Sequence, residues 1–505
     1  MKRLSSSLAA LLAATAFAPT HAGTAISLSI VGQPIPGKQV IVQAQLTGDH
    51  IVGFGPAAVP PGAVNFYANG QSLGQVFPVG GNSTGSHCSI INDPVFVDLC
   101  VAPSSTLAVA FTFPSGATSA GNFFAHFDGD ALYDGSSSPT LTVTARQPAL
   151  TSFGLPSGEQ HWAIVGSNGN LYNIYWTPTS GYQFSDASAA VSAPQADHGA
   201  LTSFVLSSGE QHWGYIGTDG NVYNLYWSPT SGYHLDNAST SSAAPAASTG
   251  ALTSFTLASG EQHWAYIGTN GHAYDIFWSP VTTSYHVQDV TALAGAPTAA
   301  NGALTSFALA TGEQHWSYIG TNGHVYNLYR NPNTLSYSTD DATAAAGAPA
   351  AASGALTSFA LASGEQHWGY VGTDGHVYNL YWSATSFTYG LEDATAGAAA
   401  PAAASGALTS FVLSSGQQHW GFIGTNGHTY DLYLDLPTHT YHVADGGASA
   451  GAPTAVPGAL SSFVLSSGEQ HWAYLGTNGD IYNLYWTPVN GSYQVNDIST
   501  AAGVP

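Results

Sequence analysis

The 505-residue chain is poor in positive charge, with five Lys and Arg against 28 Asp and Glu and a formal net charge of −23 at pH 7. Two of the five, Lys2 and Arg3, stand at the extreme N-terminus. Phosphate binding runs through Lys and Arg that release counterions, so this balance excludes a nucleic-acid partner, and the same acidity repels anionic membranes. Charged residues of both signs amount to only 7%, whereas aromatics reach 12% and Gly numbers 58. Such a composition excludes a disordered acidic tail and a helical protein, and predicts a neutral-polar all-β chain.

Long apolar runs are also missing, with one exception. Leu8 to Ala18 follows Lys2 and Arg3 and precedes Thr20-His21-Ala22, the three-part pattern of a secretory signal peptide over 1–22, cleaved after Ala22. No later segment has the roughly 18 uninterrupted apolar residues a membrane helix needs, so membrane insertion is not expected. The reading is bacterial export to the medium or cell surface. Cysteine is nearly absent: Cys88 and Cys100 are the only two. In an oxidising compartment they are expected to form a disulfide, adding about 3 kcal/mol in the chain-entropy model. No CxxC or Cys/His spacing points to metal or nucleophilic chemistry.

From Ala25 to Thr144 short β-rich runs alternate with Gly, Pro and Asn, among them AISLSIV, QVIVQAQL, AVNFYANG, TLAVAFTF and TLTVT. That is the strand count of a β-sandwich over 23–146. The stretches GAVNFYANGQSLGQV (62–76) and FDGDALYDGSSSPTLTVT (127–144) resemble bacterial Ig-like repeat modules. The resemblance implies a spacer or stalk.

The remainder, 147–505, is repetitive. A Glu-Gln-His-Trp core, with Gln for Glu once, places His at 161, 212, 263, 315, 367, 419 and 471, in steps of 51 or 52. The repeats begin near 149, 200, 251, 303, 355, 407 and 459. Four β-like runs recur in each; in the third copy they are 251–257, 262–269, 272–278 and 285–290. Asn270-Gly271 joins the second to the third, and Asn-Gly or Asp-Gly stands there in every copy, a strong hairpin signal. Four strands, a period near 50 and seven copies predict a seven-bladed β-propeller. Independent 50-residue domains would be too small without disulfides, membrane-barrel strands are longer, and a β-helix has a shorter period. All twelve Trp lie in the repeats; Trp162 and its counterparts are read as packing between blades.

Polar residues recurring inside these aromatic strands are the informative ones. They are the His of the second strand and, twelve positions on, Asn173, Asn224, Asp275, Asn327, Asn379, Asp431 and Asn483. Whether the two converge depends on the hairpin. A two-residue Asn-Gly loop pairs His263 with Trp278 and leaves Asp275 on the other face; a three-residue Thr-Asn-Gly loop with a bulge brings them to one face. Both remain open.

This order of strands, polar residues and Asn/Asp-Gly turn over about 149–498 resembles the fungal fucose-specific lectins (tectonin-type β-propellers) and related bacterial propellers. In that family a second-strand Arg and a third-strand Glu bind sugar hydroxyls, and aromatics of the blade and its neighbour stack on the sugar. The resemblance implies carbohydrate-binding candidates, repeat by repeat: His161, Asn173 and Trp176; His212, Asn224 and Trp227; His263, Asp275 and Trp278; His315 and Asn327; His367, Asn379 and Trp382; His419 and Asp431; His471, Asn483 and Trp486. Tyr182, Tyr233, Tyr285, Tyr337, Tyr389, Tyr441 and Tyr493 stand near the family's fourth-strand Trp. Neutral His and Asn make weaker bonds than Arg and Glu, so fucose specificity does not carry over. Arg330 and Leu434 replace the third-strand Trp, which predicts that the fourth and sixth sites are weak.

The competing reading of the His/Asn pair is a polar ladder tying blades together. A ring of equivalent His spreads its members too far apart for a metal, so no metal or cofactor is expected. His272, His324, His376 and His428 are read as solvated loop residues, and Asp186, Asp289, Asp341, Asp393, Asp445 and Asp497 as turn formers bonding the following backbone. Catalysis needs one asymmetric constellation, whereas this chain offers the same polar pair seven times, so no enzyme is expected. The function expected is a secreted lectin whose partners are glycans or glycoconjugates. The alternative is an adhesion or scaffold protein that uses propeller faces for protein contact.

Overall fold

The computed structural model describes residues 23–31, 39–48, 63–76, 104–112, 120–129, 133–144, 149–166 and 168–504. The expected signal peptide and the Cys88–Cys100 disulfide lie outside the described residues. The chain divides into two compact units, with the main break in sequence between Thr144 and Ala145.

The N-terminal unit holds two antiparallel sheets. One orders Thr24–Val31, Gln39–Gly48 and Ser104–Thr112; the other orders Gln71–Val76, Val64–Ala68 and Ala120–Phe127, with Ser136–Ser137 and Leu141–Thr144 both paired to the last of these. Strict alternation buries one face of each: Val42, Ala44 and Leu46 in the first, Val64, Phe66 and Ala68 in the second.

The C-terminal unit is all-β and propeller-like: seven consecutive four-stranded antiparallel sheets, each built from one contiguous repeat. The third has Ala247–Thr256, Gln262–Gly268, Ala273–Ser279 and Ser284–Asp289. The Ala/Gly/Pro stretch that follows contains a five-residue helix, Val290–Ala294, which begins because the Asp289 carboxylate accepts the Ala292 N–H at 2.8 Å and ends in left-handed Gly295. The first strand also starts earlier than its apolar pattern suggests. Ala247 already pairs with Gly268 before a bulge around Gly250, whose φ of +113° brings it against Gly302 of the next sheet.

Core lies between sheets. Each second-strand Trp, from Trp162 to Trp472, is fully buried, packing on the preceding sheet as Trp264 does on Phe204. Burying an indole contributes roughly 4–6 kcal/mol of gross transfer free energy. Around the inner strands runs a circuit of hydroxyl bonds: Thr151 to Ser203, Thr202 to Ser254, Thr253 to Ser306, Thr305 to Ser358, Thr357 to Ser410 and Thr409 to Ser462, at 2.6–3.0 Å. Ser461 to Ser152 at 2.8 Å joins the last sheet to the first, and Trp162 packs against Phe463 across the same seam.

Candidate functional site

The hairpin between the second and third strands decides whether the polar residues meet. Gly268 N–H donates to His272 O at 2.8 Å, Gly271 N–H donates back to Gly268 O at 2.9 Å, and Gly271 has φ +79°. The loop is therefore Thr269-Asn270-Gly271 with a bulged Gly, and Asn270 Oδ1 holds the His272 N–H. His263 consequently pairs with Phe277 and Ala265 with Asp275, which places His263 and Asp275 on one face.

His263 Nδ1 lies 2.8 Å from Asp275 Oδ2. In all seven sheets the corresponding His and Asn or Asp meet at 2.8–3.2 Å. Each imidazole is sandwiched between a first-strand Phe and a third-strand Tyr or Phe; His263 stacks on Phe255 at 4.4 Å and on Phe277 at 5.4 Å. Where the partner is Asn, its Oδ1 faces Nδ1 and can only accept, so Nδ1 carries the proton; in the second sheet Asn224 Nδ2 donates instead to the Tyr285 hydroxyl at 3.1 Å. In His161, His212 and His471 Nε2 is then left as a lone pair, whereas His315 and His367 set Nε2 3.0 Å from the carboxylates of Glu313 and Glu365. In His161, His212 and His471 that Nε2 is buried without a hydrogen-bond partner. Burial pushes the imidazoles of His161 and His471 down to about 4 and lowers that of His212, so these rings are neutral acceptors at pH 7.

Neighbouring positions of a strand face opposite sides, and this corrects the repeat-by-repeat grouping of candidates. His161 opposes Tyr175, whereas Gln160 opposes Trp176. His161 and Asn173 therefore face the second sheet, in a cleft of about 460 Å³ walled by Tyr175, Gln211, Trp227 and Tyr233. Trp176 faces the other way, into a cleft of about 530 Å³ with His471, Asn483 and Tyr485 of the seventh sheet. A His/Asn pair thus shares its cleft with the Trp of the following repeat. By the same register Arg330 stands before His263 and Asp275, and Leu434 before His367 and Asn379. Any weakening through loss of that Trp falls on the third and fifth pairs rather than the fourth and sixth.

The Tyr series bridges sheets. Tyr285 of the third sheet donates to Asp236 of the second at 2.8 Å while accepting from Asn224, and burial raises its pKa. Tyr389 donates likewise to Asp340, and Tyr441 to Glu392. The Asn residues thus also act as the inter-sheet ladder considered above. The second His series is not simply solvated: His272, His324, His376 and His428 each place Nδ1 2.8–2.9 Å from Asp289, Asp341, Asp393 or Asp445, the helix-capping acids. Among the described residues no cluster of three or more His, Cys, Asp and Glu could hold a metal.

Two contributors were missed. The Gln of the core motif is buried in every copy, and Gln160 and Gln211 line the two clefts. Glu159 and Glu469 stand at their rims. The recurrence of Glu-Gln beside the His was the available signal.

No protein-family model matches the chain, and no curated protein matches it. Solved structures do. The BP39L lectin from Burkholderia pseudomallei is similar at a TM-score of 0.51 and 10% identity, over 69% of this chain and 98% of that one. The likeness is one of fold. The Aleuria aurantia lectin, described as a six-bladed β-propeller with a novel fucose recognition mode, has TM-score 0.41, 10% identity and coverage of 69% and 94%. AofleA from Arthrobotrys oligospora has TM-score 0.43, 11% identity and coverage of 59% and 86%. A lectin propeller is thus among the structures that share this chain's fold.

Proposed function

We propose that the protein is a secreted, lectin-like carbohydrate-binding protein: a seven-bladed propeller with several inter-blade sugar sites, preceded by an Ig-like module and lacking enzymatic activity. The observation that carries this reading is the buried Nε2 lone pair of His161 and His471 at the base of open, aromatic-walled clefts. A sugar hydroxyl is the group that supplies its missing hydrogen bond, and Trp, Tyr and Gln of the facing sheet offer stacking and amide contacts. The lectin character of the BP39L neighbour is consistent with it. Fucose is not carried over, because His and Asn stand where Arg and Glu are expected.

A second reading has its own support. The His/Asn pairs are almost fully buried and bonded to one another, and Asn224 extends the chain of bonds to the neighbouring sheet. On that reading the pairs are structural and the propeller faces grip a protein. A glycan array at neutral pH, with and without calcium, separates the two. Binding is expected, and His471→Ala should abolish occupancy of the cleft between the seventh and first sheets while the others persist. Absence of binding to any glycan would overturn the lectin reading.

A further inference from the structure

The interface between the third and fourth sheets departs from the other six. Setting aside the recurring His Nε2 and Trp Nε1 atoms, four buried side-chain polar atoms have no hydrogen-bond partner among the described residues: Asp275 Oδ1, Tyr337 Oη, Thr339 Oγ1 and Gln418 Oε1. Three of the four face this one interface. Arg330 pairs across the strands with Gln314 and Tyr337, and Thr339 with Leu328, so these side chains look toward the third sheet along with Trp316. His263 and Asp275 look back at them, and His263 Nε2 is likewise unpartnered. The Trp316 indole N–H bears on Asp275 from the fourth sheet without reaching hydrogen-bond geometry.

The residues concerned are particular to this interface. Thr339 occupies a position held elsewhere by Phe184, Leu235, Val287, Leu391, Val443 and Val495. The bridging Tyr hydroxyl is bonded at every other interface, to Asp236, Asp340, Glu392, Ser185, Asn496 or Asp431, but not at Tyr337, where Gln288 stands at the facing position. Arg330 is the one Lys or Arg in 147–505. It is half-buried and makes no hydrogen bond or ion pair among the described residues.

We infer that this interface holds a dedicated subsite for an acidic sugar, with the sugar carboxylate on the Arg330 guanidinium and its hydroxyls on His263, Asp275 and Tyr337. A planar guanidinium fork matches a carboxylate, and a polyhydroxylated ring supplies the donors and acceptors that the unpaired atoms lack. Trp at this position in five of the other repeats serves neutral sugars by stacking; Arg exchanges that wall for a charge. The inference rests on the glycan reading of the clefts and assigns one of them a different ligand class.

The test is Arg330→Trp, a substitution that installs the residue of the other repeats and so keeps the fold. Calorimetric titration with cellobiouronic acid and its neutral counterpart cellobiose is run beside an array of neutral and uronate-terminated glycans. The expected result is about one acidic-sugar site per wild-type chain, weakened at least tenfold in Arg330→Trp, with neutral-glycan binding at the other clefts retained. Uronate binding that is absent, or equal in the two proteins, while neutral glycans bind, overturns this inference alone. Failure of neutral and acidic glycans alike removes the lectin reading and this subsite with it.

Discussion

At the scale of single residues, burial keeps the imidazoles of His161, His212 and His471 neutral in their clefts. The sign of the resulting pH dependence follows from the two states of His161 and His471. Unfolded, each takes up a proton near 6.5; folded, not until about 4. Between those values the unfolded chain binds more protons, so stability is full above 6.5 and falls as the pH drops toward 4. The loss is on the order of 3 kcal/mol per residue at the low end. Urea denaturation at pH 7 and pH 5 should give a lower midpoint at pH 5, with a smaller drop in His471→Gln. An equal drop in that variant would assign the effect to other groups. The twelve-residue spacing of His263 and Asp275 was legible in the sequence, but their contact was not, because Asn-Gly is compatible with two loop lengths that differ by one residue of register. What selects the longer loop is the closure of Gly268 on His272.

At the scale of elements, the short helix after each fourth strand depends on its capping acid. Asp393 accepts the Ala396 N–H at 2.8 Å through Oδ1 and holds His376 at 2.8 Å through Oδ2. The bond to Asp393 raises the His376 pKa above its ordinary value. The stability from this pair is therefore complete below 6.5 and is lost as the pH rises through the raised value, opposite in sign to the cleft histidines. Asp393→Ala should cost about 1 kcal/mol for the lost cap. Asp393→Asn should cost less, since Asn237 caps the corresponding helix of the second repeat, and should return the His376 pKa toward 6.5. Chemical denaturation and imidazole NMR titration check both; equal losses in the two variants would remove the cap from the explanation. The Asp was readable as a turn former from its place after a strand. Its ion pair with a His seventeen residues earlier was not, because the two meet through strand pairing rather than local spacing.

At the scale of the whole repeat unit, the seam between the seventh and first sheets is built like the other interfaces, from a Trp on a Phe and a hydroxyl pair. No strand is exchanged across it. Trp162→Ala, at the seam, should thus cost the same as Trp264→Ala inside the array, about 3–5 kcal/mol by thermal or urea unfolding. A much smaller cost at the seam would mean that the array is not closed there. On the proposed lectin reading, several linked sites would convert weak single contacts into strong attachment to a dense glycan surface, because linked sites act at high effective concentration.

The sequence by itself determined the all-β class, the seven copies, the four strands of each and the polar residues that interrupt an aromatic pattern, since all of these are written in local periodicity. The tertiary structure alone decided which of those residues share a cleft. Adjacent strand positions face opposite ways, so the His of one repeat stands before the Trp, or in one case the Arg and in another the Leu, of the next. The hydroxyl circuit of Thr and Ser was likewise invisible, because each of its bonds joins residues about one repeat apart, or across the seam, that only the stacking of sheets brings within reach.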